Sequence, residues 1–189
     1  KPIVYTNRVQ RLFLTAALLT AIALVITYLS VPELILSIGA GMLALPVVML
    51  IANFVNKPLE ASITRWYYND AKRKLSTMPD LKIIGVTGSF GKTSTKHYLY
   101  RILSEKYNVL MTPGNFNTTL GVVRTIREQL KAHHQVFIVE MGAKQVGDIK
   151  EICDLVHPSI GIVTAVGEMH LETFHSVENI RRTKFELID

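Results

Sequence analysis

The sequence holds a single cysteine, Cys153, among 189 residues. An internal disulfide is therefore excluded, and the lone thiol fits a reducing compartment. Also missing is any Ser/His/Asp or reactive-cysteine signature, so chemistry through a covalent side-chain nucleophile has no candidate. Cys153 falls in a helical stretch and reads as small core filler. His97, His133, His134, His157 and His175 are assigned no role. The chain begins at Lys1 rather than Met and closes on Phe185-Glu186-Leu187-Ile188-Asp189, inside a helical pattern without a stop signal. A piece of a longer protein is expected.

Charge is absent from two long stretches. Leu12 to Leu29 is an 18-residue run without a charged side chain, and Leu34 to Val55 is a second such run of 22. Each meets the roughly 20 apolar residues that a membrane-crossing helix needs. The intervening Ser30-Val31-Pro32-Glu33 reads as a turn, with Pro32 suited to a first helical turn. Residues 1–56 are thus expected to form a transmembrane helical hairpin, with spans at about 12–29 and 34–55. Hydrophobic residues make up 49% of the chain, an excess concentrated in this region.

The net charge is +6. Lys1, Arg8 and Arg11 precede the first run, Lys57, Arg65, Lys72, Arg73 and Lys74 follow the second, and the turn carries no basic residue. Positive charge stays on the cytoplasmic side, so both ends of the hairpin are expected inside. The basic balance is explained by membrane topology rather than by nucleic acid, which is not an expected partner. Residues 57–80 form a juxtamembrane link. Ile63, Trp66, Tyr67 and Leu75 share a helical side with Arg65, Lys72 and Lys74, which fits either an interfacial helix or one packed on the following domain. Met78-Pro79-Asp80 marks the boundary.

From residue 81 short β-rich runs alternate with helical ones. Strands are expected at 82–87, 108–111, 136–140 and 160–164, and helices at 93–106, 120–131, 148–156 and 177–188. Such alternation predicts an α/β fold, a parallel sheet with right-handed crossovers and helices on both faces. The first strand runs into Thr87-Gly88-Ser89-Phe90-Gly91-Lys92-Thr93-Ser94. Glycines at a strand-to-helix turn let backbone N–H groups converge on phosphate oxygens at the positive end of the helix. Lys92 would reach the β/γ-phosphates of ATP and the Thr93 hydroxyl would hold Mg²⁺. The strict phosphate-loop pattern places glycine where this chain has Val86, so the match is to a variant, Thr-Gly-x-x-Gly-Lys-Thr. In an open α/β sheet the ligand lies beyond the carboxyl ends of the strands. Glu140, closing the apolar run Val136-Phe137-Ile138-Val139, is there a candidate Mg²⁺ ligand, or else a cap for the next loop. His170, in Gly167-Glu168-Met169-His170, falls on the same edge.

Taken together, Gly85 to Lys96, Thr112-Pro113-Gly114-Asn115-Phe116-Asn117, Glu140-Met141-Gly142-Ala143, His170-Leu171-Glu172 and Thr183-Lys184-Phe185-Glu186 resemble the Mur ligases, in family order through residues 81–189. The Thr-Pro-Gly-Asn-x-Asn and Glu-Met-Gly-Ala segments resemble the D-alanyl-D-alanine-adding members. The resemblance implies a phosphate-loop ATPase domain, incomplete at its C-terminal end. It implies that Thr87 to Ser94 bind ATP, that Thr93 and Glu140 hold a first Mg²⁺, and that His170 helps to hold a second. Lys184 corresponds to a lysine that is carbamylated in relatives; from the residues alone it reads as a solvated surface lysine. Thr112, Asn115, Asn117 and Thr118 are expected on the substrate side. The chain departs from the family at Ala165, near a frequent asparagine, and at Thr118, itself in place of a frequent asparagine. It also departs at its start, where relatives have a soluble domain for the uridine nucleotide and this chain has the apolar hairpin.

The implied activity is ATP-dependent amide ligation. A carboxylate is activated as an acyl phosphate and joined to an amine, as in adding D-Ala-D-Ala to UDP-MurNAc-tripeptide. Lys92, Glu140, His170 and Lys184 are the expected catalytic groups, and peptide and nucleotide-sugar substrates the expected partners. Two alternatives remain: a membrane-associated ligase acting on another envelope polymer, or a non-catalytic nucleotide-binding scaffold. Either way the ATP-binding domain is expected on the cytoplasmic side of the cell membrane.

Overall fold

The computed structural model describes residues 6–30, 34–168 and 171–188. By its contacts the chain divides into two compact units, Lys1–Arg65 and Trp66–Asp189.

The first unit is built from α1 (Asn7–Ser30) and the opening part of α2 (Leu34–Ser76). Of the expected turn over residues 30–33, Ser30 closes α1 and residues 31–33 lie outside the described residues. Asn7–Leu29 and a stretch within Met42–Ser76 are long and apolar enough to cross a membrane, by length and composition alone. Their large side chains face outward: Leu14 is 72% exposed and Leu43 84%. Among the described residues of this unit the buried ones are Ala16, Val48, Ala52 and Asn56. Val48, Ala52, Asn56 and Glu60 recur every four residues and therefore share one face of α2. Along that face the Asn56 amide nitrogen donates to the Thr15 hydroxyl at 3.1 Å. Arg11 pairs with Glu60 at 2.7 Å. The separate link expected at residues 57–80 is a continuation of α2, which passes Pro46 and Pro58 and ends at Ser76.

The second unit carries a four-stranded sheet of β1 (Lys82–Thr87), β2 (Val109–Met111), β3 (Val136–Glu140) and β4 (Ile160–Val163), in the order β2-β3-β1-β4. Every pairing is parallel, with Val86 opposite Glu140 and Thr87 opposite Val163. The helices are α3 (Lys92–Leu103), α4 (Thr119–Gln129), α5 (Asp148–Val156), α6 (Leu171–Phe174) and α7 (Val177–Phe185). The expected α/β alternation is present, with ends displaced by up to three residues. Local caps set some of them: the Thr118 hydroxyl accepts from the Gly121 N–H and starts α4, and the Ser176 hydroxyl accepts from the Asn179 N–H and starts α7.

Central strands covered on both faces need unbroken apolar runs. β3 is buried at all five positions, and β1 at every position after Lys82. Successive side chains alternate between faces. Ile83, Phe137 and Val139 pack with Val122, Ile126, Ile149 and Ile152 of α4 and α5. Ile84, Val86, Val136 and Ile138 meet Leu99 and Leu103 of α3. Gly85 leaves room that a side chain would take, since a Cβ there would lie 2.7 Å from Leu187 and 2.9 Å from Met141. Of the two readings for the end of α2, packing on the domain holds for Ala71, Tyr68 and Leu75, which join this core. Trp66 and Tyr67 stay exposed, with the Arg127 guanidinium 5.1 Å and 4.1 Å from their ring centres.

Candidate nucleotide site

The site forms where β1 hands over to α3. Gly88 has φ 142° and Gly91 φ 80°, so the turn uses two conformations that L side chains avoid. A Cβ at Gly88 would also collide with the Thr164 side chain. Gly91 caps α3 without a side-chain hydrogen bond, leaving the first N–H groups of the helix for an anion. The turn is held from the loop after β4. The Ser89 N–H donates to the Ala165 carbonyl at 2.7 Å, and the Ser89 hydroxyl donates to the Gly167 carbonyl at 2.9 Å. The Thr164 hydroxyl lies 2.6 Å from the Phe90 carbonyl and 3.0 Å from that of Thr87. The Ala165 carbonyl thus accepts from the N–H groups of both Ser89 and Phe90, so the departure at Ala165 leaves main-chain anchoring of the turn in place. Phe90 itself is largely exposed, as is Ser94.

Lys92 opens α3 and folds its ammonium back over the turn, donating to the carbonyls of Gly88 at 2.6 Å and Ser89 at 3.1 Å. Burial holds this amine below the usual lysine range, against the opposing pull of Glu140. Thr93, one residue on, places its hydroxyl 3.1 Å and 3.3 Å from the two Glu140 oxygens. Glu140 is 2% exposed. Burial raises its pKa, but hydrogen bonds from Lys96, Asn117 and Thr93 and the Lys96 charge outweigh it, and the net shift is downward. The group is therefore an anion despite its burial.

The segment after β2 reaches the same carboxylate. Asn117 donates its side-chain amide to Glu140 at 3.2 Å, and its carbonyl accepts from the Gly142 N–H at 2.7 Å. A Cβ at Gly142 would lie within 2.8 Å of the Asn117 side chain. Thr112 is fully buried, its hydroxyl accepting from the Glu140 N–H at 3.0 Å. Thr118 spends its hydroxyl on the start of α4. The hydroxyls of Thr112 and Thr118 are thus committed to backbone groups, whereas Asn115 is exposed at the loop surface. His170 lies outside the described residues.

Lys184, on α7, corrects the reading from residues alone: it is 4% exposed rather than solvated. Burial first, then the charge of Lys92, depresses its pKa to about 8, while Asp148 and Glu186 pull the other way. Its nitrogen lies 5.9 Å from the centre of the Phe174 ring. Glu186, two residues on, accepts from the N–H groups of Gly147 and Lys150 at the start of α5.

Sequence reasoning missed Lys96, which is 0% exposed and pairs with Glu140 at 2.8 Å. The signal was available. Lys96, Leu99 and Leu103 recur at helical spacing, and the two leucines face the core.

The comparisons with known proteins fall on this unit. The Mur ligase middle domain matches residues 86–189, more than half of the chain. The chain belongs to the Mur ligase family. It is similar to the UDP-N-acetylmuramoyl-tripeptide–D-alanyl-D-alanine ligase of Bacillus subtilis, 35% identical over 108 residues, or 57% of this chain and 23% of that protein. The Synechocystis protein of the same name is 40% identical over 116 residues, 61% of this chain and 25% of the relative. Among solved structures, MurF ligase from Thermotoga maritima in complex with ADP superposes with a TM-score of 0.62 at 38% identity, covering 66% of this chain and 29% of that one. MurF from Acinetobacter baumannii gives 0.62 at 35%, covering 64% and 26%. The chain thus spans about a quarter of the length of these relatives. The match to the Mur ligase middle domain leaves α1 and all of α2 outside it.

Proposed function

We propose that this chain is the ATP-binding part of an amide ligase of cell-wall precursor synthesis, held at the membrane by α1 and the first part of α2. The carrying observation is one convergence: Lys92, Thr93 and Glu140 meet beside a glycine turn that has no room for side chains at Gly88.

The residues fit a magnesium–nucleotide. The positive φ of Gly88 and Gly91, the uncapped start of α3 and the Lys92 ammonium suit a polyphosphate. The Thr93 hydroxyl and the Glu140 carboxylate are hard oxygen donors, the type Mg²⁺ takes. Among the described residues no cluster of three or more His, Cys, Asp or Glu side chains could cage a metal. Mg²⁺ is commonly held by one or two protein groups plus phosphate oxygens, so two donors suffice. When bound, Mg²⁺ would neutralise charge on the phosphates while a carboxylate is activated as an acyl phosphate for attack by an amine.

The chain's own groups have separable tasks. Lys92 exchanges its carbonyl partners for phosphate oxygens and offsets the repulsion between an anionic substrate and the nucleotide. Glu140 and Thr93 would hold the metal ion through their oxygens. Lys184, whose amine is partly neutral near pH 8, has the nucleophilic form that carbamylation by CO₂ requires, and the product would be an anion facing Lys92. Asn115 and Asn117 offer amides on the substrate side of Glu140, and His170 remains a proposed second metal ligand.

The relatives' names point to D-Ala-D-Ala addition to UDP-MurNAc-tripeptide as the reaction. Phosphate release by the full-length protein tests it. Turnover should need both the tripeptide nucleotide and the dipeptide, and turnover without the tripeptide nucleotide would reject the assignment. A second reading keeps the ligase core but gives it a membrane-bound envelope acceptor. It is favoured by the exposed apolar side chains of α1 and α2, among them Leu14, Leu18, Leu43 and Phe54. Replacing the uridine nucleotide by a lipid-linked acceptor separates the two. Membrane association with both helix ends inside would appear as cytoplasmic-side labelling of single cysteines placed at Arg8 and Arg65.

A further inference from the structure

Lys96 is a lysine closed off from solvent, beside a carboxylate that the proposed function uses. An ammonium has three N–H donors. Lys96 directs one to Glu140 Oε2 at 2.8 Å and another to the Gly114 carbonyl at 2.9 Å. Gly114 sits in the loop after β2 at φ 50°, a left-handed conformation that turns its carbonyl toward α3. Glu140 in turn receives Asn117 on Oε1 and Thr93 on both oxygens. One buried carboxylate therefore joins the metal side of the site to the loop of residues 113–118, and one buried ammonium fixes both.

We infer that Lys96 is a positioning residue that couples the metal-facing carboxylate to the loop of residues 113–118, and that it weakens the site's hold on a divalent cation while doing so. This inference rests on the proposed role of Glu140 at Mg²⁺. Its physical basis is charge. A positive group in contact with the carboxylate repels a cation approaching the same carboxylate, and the repulsion is strong where water is excluded. Without Lys96 the carboxylate would bind the cation more tightly, but the Gly114 carbonyl and Glu140 would lose their common partner and the loop would loosen. A residue serving only to fill space or stabilise the fold would weaken both properties when removed.

The experiment uses full-length protein, Mn²⁺ as the probe for the metal and a non-hydrolysable ATP analogue. Mn²⁺ binding is followed by electron paramagnetic resonance, and the loop by amide hydrogen exchange of a peptide spanning residues 113–118. In the wild type, adding Mn²⁺ with the analogue changes exchange in that peptide; no change there overturns the coupling, whatever any variant does. In Lys96→Met the Mn²⁺ dissociation constant falls by about threefold or more and loop exchange accelerates. A constant within about threefold of wild type, or a weaker one, overturns the charge argument. Should the variant not fold, the wild-type exchange measurement decides alone. A wild type that binds no Mn²⁺–nucleotide removes the proposed function and this inference with it, whereas normal wild-type binding with an unaltered variant removes only the inference.

Discussion

The two units spend similar side chains in opposite ways. In α1 and the first part of α2, Leu14, Leu18, Leu43 and Leu50 point outward while Ala16, Ala52 and Asn56 are buried. In the Trp66–Asp189 unit the sheet buries large apolar groups, with Phe137, Ile138 and Val139 all at 0% exposure. Water explains the second arrangement, because apolar area is stabilised by leaving it. The first is the arrangement expected where the surroundings are themselves apolar: small residues let helices approach, and polar side chains find partners between them. The α/β unit does bury polar groups, but around Glu140, where four hydrogen-bonding contacts satisfy one anion. Buried polarity thus joins two helices in one unit and surrounds a single carboxylate, Glu140, in the other.

The contrast can be broken by substitution. The largest effect is expected at Lys92. Lys92→Ala should lower ATP-dependent phosphate release by about a hundredfold or more, while circular dichroism stays that of the wild type. Near-normal turnover would detach the glycine turn from catalysis. Next comes the core. Phe137→Ala should destabilise the α/β unit by about 3–5 kcal/mol in urea unfolding. Leu50→Ser, at an exposed position of α2, should leave that unit's unfolding within about 0.5 kcal/mol but reduce recovery of the protein with membranes.

A smaller effect should follow pH. Lys184 has a pKa of about 8 in the fold against an ordinary 10.5. The fold therefore bears the penalty of a charged buried amine below pH 8 and sheds it as pH rises from 8 to 10.5, so stability gains over that window. Lys184→Met should flatten this rise, by an amount on the order of 2 kcal/mol; an unchanged profile would place the lysine in solvent or pair it. The smallest effect belongs to the helix pair. Asn56→Ala removes one polar rung and should lower thermal stability in detergent by less than about 1 kcal/mol.

Much of this was legible in residues. The uncharged runs before residue 56 were legible from length and missing charge, and the fold after 81 from short β-rich runs alternating with helical stretches, signals that survive without tertiary information. The glycine turn was legible because Gly-Lys-Thr between a strand and a helix has few uses. Lys96 and Lys184 were not, for one reason: lysine is ordinarily solvated, and only tertiary contacts reveal a buried one. Thr112 and Thr118 stood in the right loop, yet their hydroxyls serve the Glu140 N–H and the start of α4, uses no spacing rule distinguishes from ligand contact. The continuity of the link at 57–80 with the helix before it was not legible, because it is backbone hydrogen bonding that carries α2 on to Ser76.

The central claim is that Thr93 and Glu140 present a magnesium–nucleotide to the glycine turn. Calorimetric titration of full-length protein with a non-hydrolysable ATP analogue, with and without Mg²⁺, addresses it most directly. The wild type should bind appreciably tighter with Mg²⁺, and Glu140→Gln should lose most of that difference. Equal affinity with and without the ion in the wild type, or a Glu140→Gln variant as magnesium-dependent as its parent, would contradict the account.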